Sequence, residues 1–226
     1  MSAAARTASA GGAVLATATR AVAALRPARK PLHPRGVVRA GRVFRSGSIE
    51  PTGVAWIDQV GEDDVDVRLS RAIGLPAALP DIHGLAIRVH AADGDADLLL
   101  ASTGFGRLTR FMLTASRSPL RRPLTTLLPY DTDSGPVLLG AEAIGADTYS
   151  ISWSRPAGDW VTFGVLRLAG PLDDGTTPSF DPVRRQVPGL RQYPSVTRLR
   201  EPAYLRARRS RSADARPTSQ ENAHEH

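Results

Sequence analysis

Residues 65–70 read Val-Asp-Val-Arg-Leu-Ser, and residues 85–90 read Leu-Ala-Ile-Arg-Val-His. Large apolar residues alternate in both stretches with polar or small ones, which is the period of a β-strand with two unlike faces. Residues 149–153 and 161–168 show the same alternation, and residues 97–101 form a short apolar run. Turn-forming Gly, Pro, Asp and Ser separate these stretches. We therefore expect about six to eight strands from residue 36 onward, in an antiparallel barrel or sandwich.

Three segments have apolar residues at helical spacing instead. Residues 1–30 fit a short amphipathic helix in an otherwise Ala-, Thr- and Gly-rich stretch, and residues 106–116 predict an amphipathic helix packed outside the sheet. Residues 195–209 predict a third helix, which Pro202 either starts or kinks. The apolar positions of the second helix are Leu108, Phe111, Met112 and Ala115.

Composition indicates one main domain with loosely structured ends. The chain has 226 residues, of which 42% are hydrophobic and 23% charged, enough for one sizeable core. Residues 206–226 contain a run of arginines and no apolar anchor, so we expect a disordered basic tail. We accordingly divide the chain into an N-terminal helical or flexible segment (1–30), a barrel domain (31–205) and the tail (206–226).

Several function classes are excluded by what the sequence lacks. It has no cysteine, which excludes thiolate nucleophiles and iron–sulfur clusters. It contains no P-loop, no GxGxxG after a strand, no HExxH and no GxSxG. We find neither an export signal nor an apolar run long enough for a membrane span, and expect a cytoplasmic protein.

The order of several short segments carries more information than any one of them. They are Leu-His-Pro-Arg-Gly at 32–36, Val-Arg-Leu-Ser at 67–70, Asp-Ile-His-Gly-Leu-Ala-Ile-Arg-Val at 81–89, Asp-Leu-Leu-Leu-Ala-Ser-Thr at 97–103, Phe-Asp-Pro at 180–182, Pro-Gly-Leu at 188–190 and Arg-Glu-Pro-Ala-Tyr at 200–204. In this order they resemble the haem catalase superfamily. The resemblance implies a mainly β protein, an antiparallel catalase-like β-barrel with a few flanking helices, and haem b as its cofactor.

The resemblance also implies three catalytic positions. His33 resembles the distal histidine, which moves a proton between the two oxygens of bound peroxide. Ser70 resembles the serine that hydrogen-bonds this histidine. Ser102 aligns with the distal asparagine of the family but lacks its amide, so efficient dismutation of peroxide is not expected.

Four further residues resemble those that hold haem. Arg68 and Lys30 correspond to two propionate-binding arginines, Tyr204 to the proximal tyrosine that ligates the iron, and Arg200 to the arginine that keeps this tyrosine deprotonated. The roles of Tyr204 and Arg200 are consistent with each other, because a phenol with a pKa near ~10 needs a nearby cation to be a phenolate at neutral pH. An arginine four residues earlier on one helical face supplies that cation.

Each of these residues also has a simpler interpretation. His33 fits an ordinary loop histidine, Arg68 fits a partner of an Asp or Glu on a neighbouring strand, and Arg200 with Tyr204 fits a surface helix pair in an arginine-rich stretch. The segment between Ser102 and Phe180 is also far shorter than in true catalases.

We therefore predict a minimal catalase-like haem protein that acts on hydrogen peroxide or an organic hydroperoxide, by peroxidase-like or rearrangement chemistry. The alternative is a haem-free barrel that binds an apolar ligand or a partner protein. A homo-oligomer is compatible with either. Binding of nucleic acid or an anionic surface by the arginine-rich tail is less favoured, because a charge run is usually only solvated.

Overall fold

The computed structural model describes residues 36–76, 78–91, 94–172 and 178–194. Eight β-strands form the framework of this part of the chain. The strands are β1 (Gly36–Ser46), β2 (Val60–Arg71), β3 (His83–Ala91), β4 (Gly94–Ser102), β5 (Leu124–Thr125), β6 (Leu138–Gly145), β7 (Thr148–Ser154) and β8 (Val161–Pro171). A short helix, α1 (Ala55–Asp58), connects β1 to β2.

The strands form one closed antiparallel barrel. Each strand pairs with the next one along the chain, and β8 pairs back to β1. Closure removes the exposed sheet edges that would otherwise be open to pairing with other chains. The predicted mainly β, barrel-type fold is therefore confirmed, and the sandwich is not formed.

The barrel interior is filled with apolar side chains. The alternating residues Val65 and Val67 on β2, and Leu85 and Ile87 on β3, are almost fully buried, as the strand period predicted. They join one continuous core that also includes side chains from β1, β4, β6, β7 and β8. A ligand site is thus expected on the outside of the barrel wall.

Helix α1 covers one end of this core. Val54 and Ile57 are fully buried, and the Trp56 ring meets Phe163 edge to face with centroids 5.4 Å apart. The Asp58 carboxylate accepts hydrogen bonds of 2.9–3.0 Å from the backbone N–H groups of Thr52 and Gly53. These bonds fix the loop that leads into the helix.

The helix predicted over residues 106–116 is wrong. Only Thr109–Phe111 is helical, as a single 3₁₀ turn. The predicted apolar face lies partly in solvent, with Leu108 74% and Met112 60% exposed, whereas Arg110 is only 2% exposed. Burial of this arginine, described below, reverses the expected orientation of the segment.

Strands β1, β5 and β6 were not individually predicted, and other predictions lie outside the described residues. Strand β5 has two residues, too few to show a period, and β6 mixes Gly and Ala with larger residues. The segment 1–30, the helix over 195–209 and the tail 206–226 all fall outside the described part of the chain. Within that part, none of the helices has the length and apolar character needed to cross a bilayer.

Candidate functional site

Two rows of residues on the outer face of β1–β4 form the candidate site. Paired residues of neighbouring strands share a face, so each row follows the pairing from strand to strand. The face is the outer one, because the intervening residues Val67 and Leu85 point into the core. We call the eight residues the platform: Gly36, Ser70, Gly84 and Ala101 in the first row, and Val38, Arg68, Ala86 and Leu99 in the second.

Small side chains make the platform flat. Gly36, Gly84, Ala86 and Ala101 contribute at most a methyl group, and Val38 and Leu99 are half-buried. A flat apolar surface of this kind fits the face of a planar ligand, because ring and wall can reach van der Waals distance without displacing side chains.

Arg68 supplies the positive charge of the platform. A Cβ atom built on Gly36 would lie 2.5 Å from Arg68 Nε, so the guanidinium group crosses the backbone of β1 where only glycine leaves room. Arg68 thus lies beside Gly36, the first residue of β1. The Arg68 guanidinium group would form an ion pair with a planar ligand that carries anionic groups at one edge.

Ser70 lies in the first row, two residues from Arg68 on the same face. Its Oγ is 3.5 Å from the Gly84 carbonyl oxygen, and its side chain is half-buried. The structure therefore places Arg68 and Ser70 on one face of the sheet.

Ser102 lies on the other face of the barrel wall. Its Oγ donates to the Thr114 carbonyl at 2.7 Å and accepts the backbone N–H of His83 at 3.0 Å, and the residue is 1% exposed. Ala101 is the residue of β4 that shares the face of Ser70. Three consecutive leucines precede Ala101 and make both faces of this segment apolar. The sequence therefore does not indicate whether Ala101 or Ser102 lies on the outer face.

The other four predicted site residues lie outside the described part of the chain: Lys30, His33, Arg200 and Tyr204. In the sequence, Lys30 and His33 precede strand β1, and Arg200 and Tyr204 follow residues 178–194, the segment that we call the second flank. His33 precedes the first platform residue, Gly36, by three positions. Within the second flank, Asp181 and Arg185 form hydrogen bonds with Asp97 of β4.

A buried ion pair holds that second flank. Arg88 and Asp97 lie in the next row of the same outer face and form two hydrogen bonds, 2.8 and 3.0 Å long. Asp97 also accepts the backbone N–H of Asp181 at 2.6 Å, and the Arg88 guanidinium lies 5.1 Å from the Phe180 ring centroid. Burial disfavours the charged guanidinium, but the hydrogen bond with Asp97 outweighs it and raises the pKa of Arg88.

These contacts hold the Phe-Asp-Pro segment at 180–182 beside the platform. We call the Arg88–Asp97 pair, with its contacts to this segment, the clamp. Sequence reasoning used this segment only as a family marker and missed its partners, although an Arg and an Asp at adjacent positions of two neighbouring strands suggest a cross-strand pair. Farther along, Val187 and Leu190 are buried in the core cluster, and Arg191 lies 2.8 Å from Asp133.

The remaining histidines of the described chain lie away from the platform. His83 is buried, with Nε2 2.9 Å from the Ser116 carbonyl oxygen. His90 lies between Asp95 and Asp66. Among the residues that the structure describes, no three His, Asp or Glu side chains gather as metal ligands.

Solved structures with this architecture include catalases. A fungal catalase superimposes with a TM-score of 0.60 and 13% identity over 81% of this chain and 60% of that chain. A bacterial catalase superimposes with a TM-score of 0.56 and 12% identity, over 81% of this chain and 57% of that chain. No protein-family model and no curated protein sequence matches. The chain thus spans less than two thirds of the length of either catalase, and its barrel has the catalase-like fold that the order of its sequence segments predicted.

Proposed function

We propose that this chain binds haem b on the platform and uses it to react with hydrogen peroxide or an organic hydroperoxide. The observation that carries the proposal is the placement of Arg68 and Ser70 on one flat outer face of the barrel. The catalase-like fold supports it.

The platform fits haem in shape and in charge. Glycine and alanine give room for a planar ring, and the Arg68 guanidinium over Gly36 is a partner for a propionate. Lys30 would supply a second cation, and Tyr204 the iron ligand, with Arg200 keeping its phenol deprotonated. When bound, haem would supply an iron centre that exchanges electrons with peroxide.

The protein residues would position the substrate and move its proton. His33 would accept a proton from one peroxide oxygen and return it to the other, and Ser70 would orient the imidazole by a hydrogen bond. Ala101 places no hydrogen-bond donor on this face, so polarisation of the peroxide would be weaker than with an amide there. Peroxidase-type or rearrangement chemistry is therefore favoured over rapid dismutation.

Haem titration tests the cofactor directly. We expect a Soret band when haem is added to the purified full chain, and a changed spectrum with weaker retention in Tyr204→Phe. Arg68→Met should weaken haem affinity, whereas the matched control Arg42→Met, an exposed arginine of the same sheet, should not. Absence of a Soret band in the wild type, with circular dichroism showing an intact β fold, would overturn the haem proposal.

A second candidate function is a haem-free barrel that binds an apolar ligand or a partner protein. The favouring observation is that six of the eight platform residues are apolar or glycine. The filled core places such binding on the outer face too. If haem does not bind, a platform substitution such as Ala86→Gln should still weaken binding of an apolar fluorescent probe.

A further inference from the structure

Two neighbouring loops at one end of the barrel expose large apolar side chains. One loop connects β2 to β3, and the other lies between the 3₁₀ turn and β5. Five of their side chains are between 38% and 60% exposed. We call these residues the apolar rim: Ile73, Leu75, Leu79, Met112 and Leu120.

Hydrogen bonds with the side chains of Asp81 and Arg71 hold the backbone of the first loop. The carboxylate of Asp81, a fully buried residue, accepts the backbone N–H groups of Ile73, Gly74 and Leu75 at 2.9–3.1 Å. Burial alone would raise the pKa of Asp81, but these bonds outweigh it and lower that pKa. Arg71 donates to the carbonyl groups of the same loop, so the loop is bound by its backbone and its apolar side chains remain outside.

The second loop is joined to the first. Asp81 and Ser116 exchange two backbone hydrogen bonds of 2.9 Å, and His83 Nε2 lies 2.9 Å from the Ser116 carbonyl oxygen. These hydrogen bonds join the two loops into one surface.

The charge around the apolar rim has a single sign. Arg117, Arg121 and Arg122 are exposed on the second loop. The acidic residue of the two loops is Asp81, whose side chain is fully buried and 3.4 Å from Arg71. The surface thus combines apolar side chains with three exposed cations and no exposed carboxylate of its own.

We propose that the apolar rim docks on an anionic lipid bilayer, with its apolar side chains between the headgroups and the three arginines on lipid phosphates. Apolar groups flanked by basic residues are the combination that interfacial binding requires. A nucleic acid would use the arginines but leave the apolar side chains in water. A second copy of this chain, which carries +7 overall, would bring like charges together.

Vesicle binding tests the charge component. The full chain should co-sediment with vesicles of equal phosphatidylcholine and phosphatidylglycerol, and only weakly with phosphatidylcholine alone. Arg117→Gln/Arg121→Gln/Arg122→Gln should lower the partition coefficient about 10²-fold, at roughly fivefold per arginine near an anionic surface. The control Arg42→Gln/Arg167→Gln/Arg184→Gln removes the same number of exposed arginines elsewhere and should lower it far less.

Insertion of the apolar side chains is tested separately, because the basic tail alone could bind vesicles. Leu75→Trp fluorescence should be quenched by brominated lipid, whereas Ile49→Trp, at the opposite end of the barrel, should not. The proposal is overturned if the two tryptophans are quenched equally, or if the two triple variants bind equally. It is also overturned if the wild type forms a dimer that the first triple variant dissociates, since the rim would then be a contact between copies.

Discussion

At the scale of single residues, the alternation of strand β4 decides which side chain can take part in the platform. Ser70, Gly84 and Ala101 share the outer face, while Ser102 points inward to Thr114 and His83. A shift of one residue moves a side chain to the other side of a sheet. A hydrogen-bond donor at 101 would therefore face the platform, and one at 102 would not.

The two positions make opposite predictions for peroxide turnover by the haem-loaded protein. Ala101→Asn adds an amide donor on the platform, and we expect turnover to rise by up to ~10²-fold. Ser102→Asn enlarges a buried side chain, and we expect a loss of about 1–3 kcal/mol of stability without a gain in turnover. Stopped-flow turnover and urea unfolding measure the two effects. A faster Ser102→Asn beside an unchanged Ala101→Asn would show that the platform does not face the substrate.

His90 predicts a pH dependence of stability. Burial disfavours its charged form, but hydrogen bonds with Asp95 and Asp66, 2.9 and 3.2 Å away, outweigh this penalty and raise its pKa above 6.5. Arg88 Nε lies 3.8 Å from the Asp95 carboxylate. Because the folded pKa is the higher one, the stabilisation is fully present below pH 6.5 and lost as pH rises through the folded value. The pair is partly exposed, so the effect is below about 1 kcal/mol.

Urea unfolding of the wild type and His90→Gln at a series of pH values measures this pH dependence of stability. The stability difference between the two proteins should be largest in weakly acidic solution and shrink as pH rises above 6.5. A difference that grows with pH would contradict the assignment of a charged His90 between two carboxylates.

At the scale of elements, residues 103–118 show where sequence periodicity fails. Arg110 donates to Gly106 O, Ser154 Oγ, Arg155 O and Phe105 O at 2.7–3.2 Å, and its guanidinium lies 4.8 Å from the Trp160 ring centroid. The two distant acceptors, Ser154 Oγ and Arg155 O, hold Arg110 against the end of β7, and the segment around it is a loop with one 3₁₀ turn. Sequence shows the helical spacing but cannot show the distant acceptors.

Replacing Arg110 should release this loop. Arg110→Met leaves three carbonyl oxygens and the Ser154 hydroxyl with fewer partners, and we expect a loss of about 2–4 kcal/mol in urea unfolding. Faster proteolysis between Phe105 and Met112 should accompany it. Arg107→Met, an exposed neighbour 3.9 Å from Asp159, should change stability by less than about 0.5 kcal/mol. Equal losses in both variants would contradict the structural role of Arg110.

The clamp on the second flank makes an analogous prediction. Asp97→Asn weakens the buried pair with Arg88 and the bond to the Asp181 N–H, and we expect a loss of about 3–5 kcal/mol. Hydrogen exchange over residues 178–194 should accelerate most. Asp64→Asn, at an exposed surface pair, is the control and should leave this exchange unchanged. Unchanged exchange in Asp97→Asn would show that the segment is held by other contacts.

At the scale of the whole molecule, the sequence predicted the barrel better than the site. Alternation identified β2, β3, β7 and β8, because each has one face in the core and one outside, and a short apolar run identified β4. Closure between β1 and β8 has no local signal, and it rested on the resemblance. Within the site, Arg68 and Ser70 were identified by the motif, whereas the clamp of Arg88 and Asp97 depends on a contact with a segment far along the chain.

The seam between β1 and β8 has a consequence for the order of folding. Strands β1–β4 are consecutive in the chain and pair as hairpins. Pairing of β1 with β8 joins residues far apart in the chain, such as Arg42 and Arg167. The entropy cost of closing a loop grows with its length, so this pairing costs more. The platform can therefore assemble before the barrel closes. Gly164→Ala would place a Cβ 2.7 Å from Phe44 O in this seam. We expect it to accelerate unfolding with little change in the folding rate, and a slower folding limb of the chevron would show that closure comes first.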